Sequence, residues 1–379
     1  MQAPTATYSF SEDLEAPLAP RKTRVQEAWG MLRSNKLAFT GLVIFLIFFV
    51  IAVLGVFLTS GTNPVFDPAM VRLQEKLRPP LSRPRVEVLS PEQVPTLGIY
   101  LFGTDDLGRD VFSRMLQGAW VSLTVGFVAV GISVLIGIFM GGLAGYYGNA
   151  FVNSGHISCV ILMSLTGIFL YLGQPLFSLF SAFAFAIVCY LSIKQVAPLS
   201  IPIMSIDTLI MRIVDIMLCF PSFFLILTVV ALLPASMYNI MIVIGLTSWM
   251  GAARFVRAEF LSLREQDFVM AAKALGLRDL RIIFRHMMPN ALGPVLVSAT
   301  IGIASAILTE AGLSFLGFGV PPPHATWGNI LSDGKRFIFD APWLTFVPGI
   351  AILIVVLAFN LFGEGLRDIL NPKLRERSI

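Results

Sequence analysis

The run "LAFTGLVIFLIFFVIAVLGVFL", Leu37 to Leu58, carries no charged residue over 22 positions. At about 1.5 Å rise per residue, a helix of that length reaches roughly 33 Å, against a hydrocarbon core of about 30 Å. The run lies behind 36 residues, is longer than a signal-peptide core and lacks a small-x-small cleavage site just after it. It is read as a retained membrane span, and the rest of the chain is read outward from it.

Upstream, residues 1–20 are rich in Ala, Pro, Ser and Thr and are expected to be disordered. "RKTRVQEAWGMLRSNK", Arg21 to Lys36, mixes bases with Val25, Trp29 and Leu32, which suits a short helix on the membrane surface. Residues 1–36 therefore form a tail and 37–58 the first span. Downstream, 59–117 is a proline-rich polar loop. Further apolar runs follow at Ala119–Tyr147, Ile157–Leu172, Leu176–Ile193, Ile206–Leu233, Asn239–Phe255, Ala291–Val320 and Trp343–Phe362, giving eight candidate spans. Of the 379 residues, 56% are hydrophobic and 13% charged, and the mean hydropathy is +0.80. Soluble domains carry about 25% charged residues. The fold class is an all-α polytopic transmembrane bundle.

Orientation follows from the bases. Arg21, Lys22, Arg24, Arg33 and Lys36 precede the first span and place the N-terminus in the cytoplasm. Eight crossings then bring Lys194, Arg254–Arg285 and the tail bases Arg367, Lys373, Arg375 and Arg377 to the same side. The 59–117 loop is long and equally acidic, where the rule has little force. The two middle runs must cross as a pair or not at all, because losing one would throw the later bases outside.

The segment "MAAKALGLRDLRIIFRHMMPN", Met270 to Asn290, interrupts the apolar pattern. At mid-bilayer Arg278, Arg281 and Arg285 would each cost about 2.5–3.5 kcal/mol, whereas each Leu, Ile or Phe returns only about 0.3–0.6. The segment therefore faces water or protein. Asp267–Leu275 is helix-prone, Gly276 suits a left-handed stop, Asp279 can cap a second short helix and Pro289 limits it. Ser262 and Glu265 have capping-box spacing, unless the preceding span continues through them. Phe268, Ala271, Ala272 and Leu275 recur on one apolar face. From the residues alone this is a loop packed on its own bundle or a surface for a separate protein.

Gly137, Gly141 and Gly145 form a small-xxx-small seam, within the chain or against a second subunit. Glu310 is an acid flanked by apolar residues, a substrate contact or a brace for a gate. Arg212 and Asp215 have the spacing of a local ion pair. Asp105, Asp106 and Asp110 with Arg109 are read as capping and docking groups. Cys159, Cys189 and Cys219, and His156, His286 and His324, lack metal-ligand spacing, so neither a metal site nor catalytic residues are expected. "SDGK", Ser332 to Lys335, lacks the first Gly and the Ser/Thr of a phosphate-binding loop, so no ATP hydrolysis is expected of this chain. The net charge of +4 is ascribed to cytoplasmic loops, not to nucleic-acid binding.

"AAKALG" followed nine residues later by "HMMPN" resembles the EAA motif of ABC-importer permeases. Ala271, Ala272, Gly276, Met288 and Pro289 match, while Met270 stands where the motif has Glu and His286 where it has an apolar residue. The Arg285-His286 pair is similar to the peptide-transporter branch. "GTDDLGRDVFSR" (Gly103–Arg114), "GYYG" (Gly145–Gly148), "LIMRIVDIMLCFPSF" (Leu209–Phe223), "EAGLSFLGFGVPPP" (Glu310–Pro323) and "GEGLRDILNP" (Gly363–Pro372) also resemble dipeptide/oligopeptide permeases of the C type, in the expected order.

That resemblance implies a type I ABC-importer permease domain over 118–372, with a cytoplasmic coupling loop at about 254–290 and a tail at 373–379. It implies that Met270, Ala271, Ala272, Gly276, Arg285, His286 and Pro289 couple to an ATPase subunit, and that Glu310 lies toward the outer end of the pathway. Implied partners are a second homologous permease, two ATP-binding subunits carrying ATP and Mg, an extracytoplasmic solute-binding protein and membrane lipid, in a bacterial inner membrane. No cofactor is expected on this chain. The family has six spans and runs from "GYYG" almost directly to the segment near Asp207. Here 149–205 is inserted, expected as a transmembrane hairpin, with a re-entrant pair as the other reading. Rival functions are import of nickel or another non-peptide solute, an ion-coupled secondary transporter, and a membrane-embedded hydrolase. The last two would need intramembrane acids with internal repeats, or a nucleophile, and neither is evident.

Overall fold

The computed structural model describes residues 24–61, 64–194, 199 and 201–370. The readings made on residues 1–20, on Arg21 and Lys22 and on the tail 373–379 lie outside the described residues.

Helix α1 (Arg24–Ser34) meets α2 (Lys36–Thr59) at Asn35, whose side chain accepts from the Ala38 amide at 3.1 Å and so satisfies one of the free N–H groups that begin a helix. The Arg33 guanidinium lies over the Trp29 ring at 4.9 Å. Helix α3 (Val111–Tyr146) starts earlier than the apolar run because Asp110 caps it, accepting from the Ser113 amide and hydroxyl. Then follow α4 (Ser154–Tyr171), α5 (Pro175–Ile193), α6 (Ile206–Cys219), α7 (Ser222–Leu232), α8 (Met237–Arg264), α9 (Asp267–Ala274), α10 (Asp279–Phe315), α11 (Trp327–Gly334) and α12 (Trp343–Leu370). Among the described residues seven helices are long and apolar enough to cross a membrane, namely α2, α3, α4, α5, α8, α10 and α12, and the α6–α7 pair makes an eighth if counted as one span.

Two expectations about where prolines end helices need correction. The Ile206–Leu233 run is not one straight helix, since α6 and α7 meet at 83°. Pro221 has no N–H and disfavours helical backbone in the residue before it, and Phe220 accordingly sits extended at φ −89°, ψ 134°. Pro289 does not end a short helix either. The helix that begins at Asp279 runs on as α10, with a π-helical stretch at Ile282–Met287 just ahead of the proline. The longer-range bonds of the π turns accommodate the proline's missing donor, and the helix runs on through it.

The tightest packing is between α3 and α8. An added Cβ at Gly137 would lie 2.5 Å from Ala252 Cβ, one at Gly145 would lie 2.5 Å from Phe260 Cβ, and one at Gly141 would strike the Ala253 carbonyl. The glycine seam thus lets two helix backbones approach within the chain. At the other end of α3 Trp327 is fully buried, its indole N–H donating to the Met115 carbonyl at 3.3 Å.

The polar loop is tied to α11 through buried charge. Asp105 accepts from Arg109 Nε at 2.7 Å and Arg114 Nη1 at 2.6 Å, and both arginines also reach Asp333. The inserted segment forms an antiparallel pair, α4 and α5, turning at Gly173 with φ +69°. Its base is closed by β1 (Phe151–Asn153) paired with β2 (Pro202–Ser205). The Thr166 and Ser181 hydroxyls meet at 2.9 Å between the two helices, whose outer faces are otherwise exposed.

Candidate coupling site

Helix α9 and the start of α10 project from the basic end of the bundle. Their inner face is apolar: Val269, Ala272, Ile282 and Met287 are buried with Val256 and Phe260 of α8 and with Ala291 and Val295. The face read from the sequence is therefore divided. Ala272 points inward, whereas Phe268, Ala271 and Leu275 are exposed, Leu275 at 81%. Met270, Leu280 and Phe284 extend the outward apolar surface, which Lys273, Arg278, Arg281 and Arg285 border. Gly276 holds the turn between the helices at φ +72°, and a Cβ there would meet nothing within 4 Å. His286 is partly buried, its carbonyl accepting from Asn290 at 2.7 Å, and Pro289 is exposed at the junction with the membrane part of α10.

The projection is anchored by Asp279. Its carboxylate does not cap α10, where Arg278 occupies the cap position. It accepts instead from the Tyr146 hydroxyl at 2.6 Å and the Tyr147 hydroxyl at 3.2 Å. Lys273 lies over the Tyr146 ring at 5.1 Å. Burial first, then the Asp279 charge and hydrogen bond, pushes the Tyr147 phenol pKa up, so this hydroxyl stays protonated and donating. The end of α3 is thereby tied to both short helices. Hydrogen bonds to a charged group contribute about 1.5–3 kcal/mol each, so Asp279→Ala is expected to loosen the projection by more than tenfold. Hydrogen exchange of the 267–282 amides should rise accordingly, and unchanged protection would show that these bonds do not hold it. Tyr147→Phe should give a smaller effect.

Arg257 of α8 pairs with Asp207 of α6, with Nη2 to Oδ2 at 2.5 Å. Asp215 pairs with Arg254 of α8 at 2.6 Å and not with Arg212, because α6 lies against the end of α8 and offers a cross-helix partner. At the far end of α10, Glu310 is 0% exposed and accepts from the Ser314 hydroxyl at 2.6 Å. Gly328 of α11 sits against Ala311 and Ser314, which places Glu310 in the packed interior beneath the polar loop. Among the described residues no group of three or more His, Cys, Asp or Glu is placed to hold a metal ion.

A polytopic bundle with an exposed helical projection has clear relatives. Residues 203–376 match the binding-protein-dependent transport system inner membrane component family, and residues 23–80 match the N-terminal transmembrane domain of oligopeptide transport permease C. The chain is 38% identical to the dipeptide transport system permease protein DppC of Alkalihalophilus pseudofirmus, over 92% of this chain and 90% of the relative. The chain belongs to this permease family. It is also 31% identical to the oligopeptide transport system permease protein OppC of Bacillus subtilis, over 93% of this chain and 90% of that protein. The DppC of Haemophilus influenzae is 33% identical over 96% of this chain and 99% of its own length. The permease is thus a multi-pass membrane protein of a family of transport proteins. The Tyr146–Asp279–Tyr147 tie escaped sequence reasoning: both tyrosines were legible within "GYYG", but nothing in a separation of 133 residues announces that they meet Asp279.

Proposed function

We propose that the chain is the membrane-spanning permease subunit of an ABC importer for dipeptides or oligopeptides, driven by ATP that partner subunits hydrolyse. The observation that carries this reading is the α9/α10 projection: a surface apolar outward, basic at its border and rigidly tied to three membrane helices. An exposed patch of that kind on a soluble face is a docking surface. The coupling residues are Met270, Ala271, Gly276 and Arg285 outward, with Ala272, His286 and Pro289 holding the element to α10. Closure of two ATP-binding subunits carrying ATP and Mg pushes this element. The Asp279 tie and the Arg254 and Arg257 pairs pass the movement to α3 and α6, and the bundle alternates its access. A second permease completes the pore, and an extracytoplasmic binding protein delivers the solute at the face of the 59–117 loop. Glu310, packed beneath that loop, acts as a brace for the outer gate.

The N-terminus lies in the cytoplasm on this reading, and the 149–205 hairpin crosses the bacterial inner membrane twice, with Gly173 outside. A cysteine at Gly173, in a chain whose native cysteines are replaced, is expected to react with an impermeant maleimide on intact cells. Protection until the membrane is opened would overturn that topology. For the substrate, the complete transporter in proteoliposomes should accumulate labelled dialanine with ATP and should not accumulate nickel ion. Nickel uptake without dialanine uptake would favour the non-peptide reading.

A further inference from the structure

A cleft of about 150 Å³ opens between α3, α8 and α10, lined by Ser133, Ser248, Ser298, Ser305 and Thr309 with Gly251 and Gly302 among small apolar residues, and no charged side chain lines it. The volume is roughly that of five waters in the liquid, the scale of a single residue of an extended chain. Threonines within the spans satisfy their hydroxyls on the preceding turn: Thr40, Thr228, Thr247, Thr300 and Thr309 each donate to the carbonyl four residues back. The cleft serines do not. The side-chain hydroxyls of Ser133, Ser248, Ser298 and Ser305 form no hydrogen bond among the described residues, although Ser133 is only 6% exposed. Ser248 and Ser305 are exposed and Ser133 and Ser298 line the same cleft, so these hydroxyls are free to donate to or accept from a polar group that enters it.

The geometry points to this cleft as a contact site for the backbone of the transported solute, an uncharged hydrogen-bonding surface that reads amides and ignores side-chain charge. The inference rests on the peptide-import reading above and deepens it. Hydroxyls both donate and accept, so they match the alternating N–H and C=O of an extended peptide. The absence of charge in the lining leaves nothing to sort acidic from basic peptides. The glycines at 251 and 302 keep the walls low enough for a main chain to approach.

The test is uptake by the complete transporter, with its binding protein and ATP-hydrolysing subunits, in proteoliposomes. Each of Ser133→Ala, Ser248→Ala and Ser305→Ala is expected to lower the efficiency of dialanine uptake about fivefold, the worth of one hydrogen bond. Peptides bearing Lys or Glu should lose as much as dialanine. Binding-protein-stimulated ATP hydrolysis and thermal stability should stay at the unsubstituted level in all of them. Unchanged uptake in the three alanine variants would overturn the site while leaving peptide import standing. A loss confined to peptides of one charge, or a loss that tracks lowered stability, would also overturn it. If the unsubstituted transporter carries no dialanine, both this inference and the substrate reading fall.

Discussion

Tryptophan in place of Gly276 is expected to lower ATP-driven uptake about a hundredfold: left-handed backbone costs a residue with a Cβ about 1–2 kcal/mol, and a bulky side chain at the centre of a docked surface costs about 2 more. Gly276 sits at φ +72° and a Cβ there meets nothing within 4 Å, so the cost inside the permease is local backbone strain at one exposed turn. The chain should therefore fold and enter the membrane normally. On the proposed docking the ring stands at the surface offered to the partner, at the turn between α9 and α10 beside the exposed Leu275. Purified transporter should still contain its subunits, while ATP hydrolysis loses its dependence on solute delivery. Uptake at the unsubstituted rate would count heavily against the docking role of this turn.

The second large effect belongs to the helix seam. Leucine at Gly141 is expected to destabilise the permease by roughly 3 kcal/mol or more, at the upper end of overpacking costs, because its Cβ would strike the Ala253 carbonyl, which is backbone and cannot rotate away. Thermal unfolding in detergent should show a midpoint several degrees lower and a reduced yield of folded protein. Gly167→Leu is the control, since nothing lies within 4 Å of a Cβ there. Equal midpoints for the two variants would show that α3 and α8 do not depend on that close approach.

The parts legible in the sequence were those governed by local physics. Leu37–Leu58 matches the hydrocarbon thickness, and α2 covers it with one further residue at each end. Asp267 to Gly276 reads as a helix with a left-handed stop, and α9 with its Gly276 turn follows that reading. What escaped was non-local. Whether a proline ends, bends or merely bulges a helix depends on the neighbouring turns. Pro221 produces a sharp break, whereas Pro289 sits behind a π stretch and leaves α10 continuous. Nor does spacing alone reveal which charges meet. Arg212 was the near partner of Asp215 along one helix, but Arg254 reaches it from another. Asp279 looked like a cap because aspartates often are, yet two tyrosine hydroxyls 133 and 132 residues away claim its carboxylate.

Helix α10 draws these elements together. It starts at the Asp279 tie, passes the serine-lined cleft and reaches Glu310 beneath the polar loop, so one continuous helix spans the three places where coupling, contact and gating are proposed. A push on α9 need not travel through flexible chain to reach the cleft. On the proposed reading the push comes from outside this polypeptide. The most direct measurement is dialanine uptake into proteoliposomes holding the permease pair and binding protein, with and without the ATP-hydrolysing subunits. Accumulation should occur only when those subunits and ATP are both present; accumulation at the same rate without them would contradict the account.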